Sequence, residues 1–163
     1  MTERTQRGNH SSCNVVDAER AREFELVALA KLKELGLRVT MPRVQVVRAL
    51  GVSRKAMSAY AVHEQILAGG GRIDVVSVYR ILSTLREAGI IHRIGSVDGF
   101  LPCQMHEHSI EHTQHMICIE CGCVTEIPIS ADQTNDIERQ AKDSNFKVRQ
   151  ITIEIDGVCP HCA

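Results

Sequence analysis

Apolar residues recur at helical spacing along the first half of the chain and at strand spacing along the second. Phe24, Ala28, Leu32 and Leu35 fall on one helix face, and Gly36 follows as a stop. Thr40 and Pro42 open a second short helix that turns Val44, Val47 and Leu50 inward. Ser58 caps a third, carrying Ala59, Val62 and Ile66, which the glycines at 69–71 close. A fourth begins between Asp74 and Ser77, buries Val78, Ile81, Leu82 and Leu85, and ends at Gly89. The period then shortens. Residues 90–94 and 100–104 flank the turn-forming residues 95–99 as a hairpin. Beyond it, 115–120 and 124–127 read as a strand pair and 131–143 as a polar-faced helix. In the strand at 148–155, Ile151, Ile153 and Ile155 alternate with Thr152, Glu154 and Asp156.

Short helices with tight turns followed at once by a hairpin predict a winged helix-turn-helix over residues 19–97. Residues 98–163 predict a small α/β unit, so the chain is of the mixed α+β class. Residues 1–18 lack apolar periodicity and read as a disordered tail. A unit of about 60 residues is marginal alone and calls for a metal, a partner subunit or both. Charge divides along the same line. Residues 1–98 carry 15 Lys and Arg against 10 Asp and Glu, and residues 99–163 carry 4 against 10. A basic module fused to an acidic, Cys- and His-rich one points to anion binding joined to metal binding. No apolar run approaches the roughly 20 residues that span a bilayer, and the polar start MTERTQRGNHSS lacks the core of a signal peptide. The expectation is a cytoplasmic protein without a membrane partner.

Seven cysteines and eight histidines are many for 163 residues. In a reducing compartment, paired cysteines favour metal over disulfides. Cys118 and Cys121, and again Cys159 and Cys162, are separated by two residues, a spacing that aims both thiolates of each turn at one ion. Two such turns complete a tetrahedral four-cysteine zinc shell that staples the end of the chain to the start of the acidic half. Gly122 and Pro160 suit the knuckle turns. Cys123 is either a spare thiol or a fifth competitor, and His10 and Cys13 read as idle. A second candidate set, His92, Cys103, His106, His108, His112, His115, Cys123 and Glu126, crowds the place where the two modules meet.

RVTMPR at 38–43, VSVYRIL at 76–82, EAGII at 87–91, HTQHMICIECG at 112–122 and the terminal cysteine pair occur in an order and spacing that resemble the ferric uptake regulator family over residues 20–163. The resemblance implies a dimeric, metal-dependent transcription repressor with an N-terminal winged helix and a C-terminal α/β dimerisation domain. Within the family the chain is most similar to the zinc uptake regulators. That similarity implies a regulatory zinc on His92, Cys103, His112 and Glu126 beside the structural one, hence about two zinc ions per protomer. Thr113 and Gln114 stand where iron-type members carry His and Asp. A family member sensing iron, manganese or peroxide is the alternative.

The helix near Ser77 would enter the major groove of double-stranded DNA, with Arg80 able to bond guanine O6 and N7 together and Ser77 offering a hydroxyl. The resemblance adds Tyr60 as a base contact and Tyr79 as a phosphate or thymine-methyl contact on a palindromic, AT-rich operator. Arg43, Arg54 and Lys55 would supply backbone contacts that position without specifying. A hydrolytic metal site would need an open coordination position and a base; Glu107 or Glu111 could serve, but no HExxH spacing is present. No catalysis and no small organic substrate are expected. The VYR helix and the basic first half weigh against a zinc buffer without DNA binding.

Overall fold

A computed structural model describes residues 16–104 and 112–163, the side chain of His112 excepted. The expectations for His10 and Cys13, for His106, Glu107, His108 and Glu111, for the His112 side chain and for residues 1–15 of the tail read at 1–18 lie outside the described residues; Asp17 and Ala18 of that stretch instead cap and open a helix. Among the described residues no helix is long and apolar enough to cross a membrane.

Local chemistry places the helix ends. α1 (Ala18–Glu34) starts where the Asp17 carboxylate accepts the Arg20 N–H at 2.8 Å, and Lys31 and Lys33 lie in its last turn, where the helix dipole favours cations. The expected inward face is shorter than the sequence indicates. Leu35 is 50 % exposed, because the helix ends at Glu34 and Gly36 turns the chain through φ +69°. Leu37 then closes on the Leu32 carbonyl at 2.8 Å and packs on the core in Leu35's stead. α2 (Met41–Gly51) buries Val44, Val47 and Leu50 as expected, and Val46 and Ala49 besides, since it contacts both α1 and α3. Ser58 caps α3 (Ala59–Ala68) through the Ala61 N–H at 3.1 Å, and Asp74 caps α4 (Val75–Glu87) through the Ser77 N–H at 2.9 Å. Val78, Leu82 and Leu85 of α4 complete the helical core with Leu32, Leu50, Val62 and Ile66; Ile81 is only half-buried.

β1 (Ile91–Ile94) and β2 (Gly99–Pro102) form the antiparallel hairpin, and the boundary read at 97/98 falls in its turn. The hairpin faces both ways. Met57, before α3, pairs with Phe100, while Ile94 and Leu101 cluster with Ile117 and Val124 of the second unit. That unit is a three-stranded sheet in the order β4-β3-β5, with β3 (His112–Cys118) at the centre. β4 (Val124–Pro128) runs antiparallel to β3. α5 (Ala131–Asp143), fixed at its start by a Ser130–Gln133 capping box, crosses over to β5 (Ile151–Gly157), which runs parallel to β3. β3 begins three residues before the expected strand and β5 begins three after it, because pairing rather than alternation sets both ends. α5 buries no residue of its own.

Candidate metal sites and nucleic-acid interface

One rung of the sheet carries the junction. Glu126 on β4, His115 on β3 and Glu154 on β5 are register partners, and all three meet the hairpin. Glu126 Oε1 lies 2.8 Å from His92 Nε2 on β1, and its Oε2 accepts the Gln104 N–H at 2.7 Å. The His115 ring sits 5.3 Å from that of His92. Glu154 accepts the Gly95 N–H at 2.6 Å and the Ser96 N–H at 2.9 Å, gripping the hairpin turn. Cys103, just past β2, is held by its N–H to the Ile90 carbonyl at 3.0 Å.

His92, Cys103 and Glu126 present one nitrogen, one sulfur and one oxygen that all lie within 4.8 Å of one another. His92 Nε2 and Glu126 Oε1 have each other as an ionic contact, yet they are not aligned for a hydrogen bond, and neither buried atom has a hydrogen-bond partner. Orphaned buried polar atoms are costly and normally find a partner. An ion of zinc type answers all three donors, whose mixed N/S/O character suits it. Three of the four residues expected as regulatory ligands are therefore brought together. His115 is fully buried and neither ring nitrogen has a hydrogen-bond partner. Alternation along β3 carried the signal, since Thr113, His115 and Ile117 share the buried face.

Charge at the junction is lopsided. Burial works against a charged His92, but the close Cys103 thiol and Glu126 carboxylate beside it outweigh this and hold the pKa up at about 9. Burial also opposes the Glu126 carboxylate, but the contact with His92 and the hydrogen bond from the Gln104 N–H overcome this and keep it below the usual carboxylate range. His115 is shifted the other way, toward neutrality, by burial and then by repulsion from His92. A raised histidine stabilises the fold fully below its unfolded pKa of 6.5 and loses that contribution as pH rises through about 9. A depressed carboxylate contributes above 4.5 and loses its share as pH falls through its folded value. Without added metal, the melting temperature of the wild type should exceed that of Glu126→Gln most between about pH 4.5 and 6.5. The two curves should converge above about pH 9; a constant gap through alkaline pH would show that the pair is not the origin.

The second cluster joins β3 and β4 to the end of the chain. The sulfurs of Cys118, Cys121, Cys123 and Cys159 all lie within 4.8 Å of one another, and Cys162 lies 3.5 Å from Cys159. All four expected structural ligands are thus gathered, with Cys123 as a fifth. Gly122, at φ +73°, makes the knuckle, its N–H on the Cys118 carbonyl at 2.8 Å. Backbone N–H groups of Cys121 and then Cys159 hold the Cys118 thiol down at about 5, the form that binds metal.

On the helical unit, Tyr60 and Tyr79 are 61 % and 46 % exposed and meet edge to face, with ring centroids 6.2 Å apart. Val76, Tyr79 and Arg80 share an exposed face of α4; Val76 was not singled out in the sequence, although its spacing from Arg80 is that of one helical turn. Ser77 is placed differently from expectation. Its hydroxyl donates to Asp74 at 2.6 Å and its N–H to the same carboxylate, so its role is to close the cap of α4. Arg43 donates to the Arg38 carbonyl. Arg54 and Lys55 lie in the loop whose backbone meets Val124 and Cys123.

The ferric uptake regulator family model matches residues 34–156. A ferric uptake regulation protein of Legionella pneumophila is 31 % identical over 135 residues, covering 81 % of this chain and 96 % of that one. A zinc uptake regulation protein of Escherichia coli is 28 % identical over 147 residues, covering 88 % and 85 %. Among solved structures, a zinc uptake regulator complexed with zinc and DNA superposes with a TM-score of 0.78 at 25 % identity, covering 87 % of this chain and 94 % of that one. Holo XcZur gives 0.74 at 27 % identity, covering 87 % and 95 %; apo XcZur gives 0.51 at 28 %, covering 89 % and 99 %. With a winged helical unit, a cysteine-stapled sheet and mixed donors at the junction between them, the chain belongs to the ferric uptake regulator family of metal-responsive DNA-binding regulators.

Proposed function

We propose that this protein is a zinc-responsive repressor of zinc-uptake genes, with zinc as co-repressor. The convergence of His92, Cys103 and Glu126 from both sides of the junction carries the reading. A thiolate beside imidazole and carboxylate favours zinc over iron(II) or manganese(II). Residues 19–97 are read as the DNA-binding domain, with the α1 cap at Asp17 just ahead of it, and 98–163 as the metal-binding dimerisation domain. Cys118, Cys121, Cys159 and Cys162 are assigned to a structural zinc, and His92, Cys103, Glu126 and His112 to a regulatory one, about two ions per protomer. Buried His115 competes with His112 for the fourth place.

When bound, zinc supplies a cross-link among donors that its absence leaves uncompensated. His92 belongs to the hairpin and Glu126 to the sheet, so the ligand set itself spans the two domains. Glu154 grips the hairpin turn independently of that set. Together they define the angle at which α4 is presented. In a homodimer only one angle delivers both recognition helices to successive major grooves, about 34 Å apart. Metal and DNA affinity are then coupled, and reciprocally so. The fit to holo rather than apo XcZur supports this arrangement as the DNA-competent one. That α5 buries no residue of its own supports a dimer. A DNA-binding regulator of this family would act in the cytoplasm, where its operator lies.

Tyr60, Tyr79 and Arg80 are assigned to a palindromic, AT-rich operator, with Ser77 supporting them from the cap. Arg80→Ala should cost about 1–3 kcal/mol and relax preference at one base position, read by binding to a panel of single-base operator variants. Equal weakening on every sequence would leave Arg80 a charge contact only. For the metal, the discriminating test is Cys103→Ser. The zinc reading requires weaker zinc activation of DNA binding in this variant, whereas unchanged zinc affinity would favour a family member tuned to iron, manganese or peroxide.

A further inference from the structure

Five sulfurs surround a centre that has four places. A tetrahedral thiolate shell with zinc–sulfur bonds of about 2.3 Å sets its sulfurs roughly 3.8 Å apart. Cys121 and Cys159 stand 3.8 Å apart, Cys159 and Cys162 3.5 Å, and Cys121 and Cys123 3.2 Å. Cys123 therefore satisfies the spacing nearly as well as the terminal cysteine does, and it belongs to the set of four whose sulfurs are all mutually close. We propose that Cys123 is a working ligand of this site, exchanging with Cys162 for the fourth position beside Cys118, Cys121 and Cys159. The proposal rests on the reading of the cluster as a structural metal site.

The backbone explains why Cys123 is a competent ligand. Its carbonyl accepts the Cys118 N–H at 3.0 Å, and its neighbour Gly122 donates to the Cys118 carbonyl, so the knuckle that orients Cys121 also orients Cys123. On the other side Cys123 bridges to Lys55, and the Val124 N–H donates to the Arg54 carbonyl at 3.0 Å. Cys123 is thus ordered by contacts independent of any ion, and ligation adds no loop closure. Cys162 is the penultimate residue, tied through its N–H to the Cys159 carbonyl at 2.9 Å within a single turn. Both candidates for the fourth place are thus held near the cluster by short backbone contacts that the exchange leaves intact. The exchange has a structural consequence. Cys159 ties the ion to the last turn in either state; bound through Cys123, the ion gains a further tie to the loop of Arg54 and Lys55, at the junction with the DNA-binding unit.

The test uses the full-length protein in a Cys103→Ser background, which removes the thiolate of the junction site. Zinc content after dialysis against a chelator, and the sulfur-to-metal charge-transfer absorbance after cobalt(II) substitution, are measured for Cys123→Ser, Cys162→Ser and the double variant. Each single variant should keep one zinc and the full four-thiolate absorbance. The double variant should lose about a quarter of the absorbance, leaving three of four thiolates, and release zinc at least about tenfold faster. A loss in Cys162→Ser with none in Cys123→Ser makes Cys123 a spare thiol and overturns the proposal. The converse pattern, or a loss in both single variants, removes the exchange and overturns it equally. A background protein that retains no zinc at all would fail at the underlying metal-site reading, a result distinct from any of these.

Discussion

Glu126→Gln should raise the free zinc needed for half-maximal DNA binding by on the order of 10–100-fold, with the zinc content of the cysteine cluster unchanged. The substitution keeps the shape of the side chain and removes one charge. Its two oxygens have separate duties: Oε2 accepts the Gln104 N–H, and Oε1 faces His92 at 2.8 Å without hydrogen-bond alignment. The amide preserves the first duty and loses the second. Operator affinity titrated against buffered zinc, with total zinc per protomer measured in parallel, separates the two sites. Unchanged zinc dependence would remove Glu126 from the switch.

The other large effect is expected at the staple. Cys118→Ser/Cys121→Ser leaves three of the five clustered sulfurs, too few for a closed four-thiolate shell even with Cys123 taking part. The sheet unit has little else to hold it. Among the described residues, its buried apolar side chains outside the cysteines are Ile117, Val124 and Ile151, and α5 contributes none. For such a unit the free energy of structural zinc is folding free energy, of order 10 kcal/mol in small zinc domains. The double variant should lose the proposed dimer and the strand signal while α1 to α4, which have their own core, retain helical circular dichroism. Light scattering with far-ultraviolet spectra reads both. A dimer of unchanged melting temperature would show that the staple is dispensable.

The legible parts of this chain are those set by local chemistry. Asp17, Ser58, Asp74 and Ser130 are capping residues that act within three positions of themselves, so helix starts follow from the sequence. The paired cysteines are legible because each spacing encloses a single turn. Leu35 misleads since its periodicity is genuine, but a glycine one residue on diverts the chain and gives its place to Leu37. Parallel pairing of β5 with β3 is a nonlocal choice that alternation along either strand does not encode. For the same reason the rung Glu126–His115–Glu154 is invisible in the sequence, where its members are 11 and 39 positions from one another along the chain. Five histidines within 24 positions could not be ranked by spacing; of the two whose side chains are described, burial on β3 sets His115 apart from half-buried His92. Ser77 carries a feature the sequence reading did not supply, a hydroxyl bonded to its own helix cap through Asp74.

The central claim is that a metal held across the junction by His92, Cys103 and Glu126 controls access to DNA. Its most direct test is fluorescence anisotropy of the purified protein on an AT-rich palindromic operator, titrated with buffered zinc, then iron(II), then manganese(II). The account predicts binding that appears only with zinc, at about two ions per protomer. Binding that ignores metal, or that answers to iron(II) instead, would contradict it.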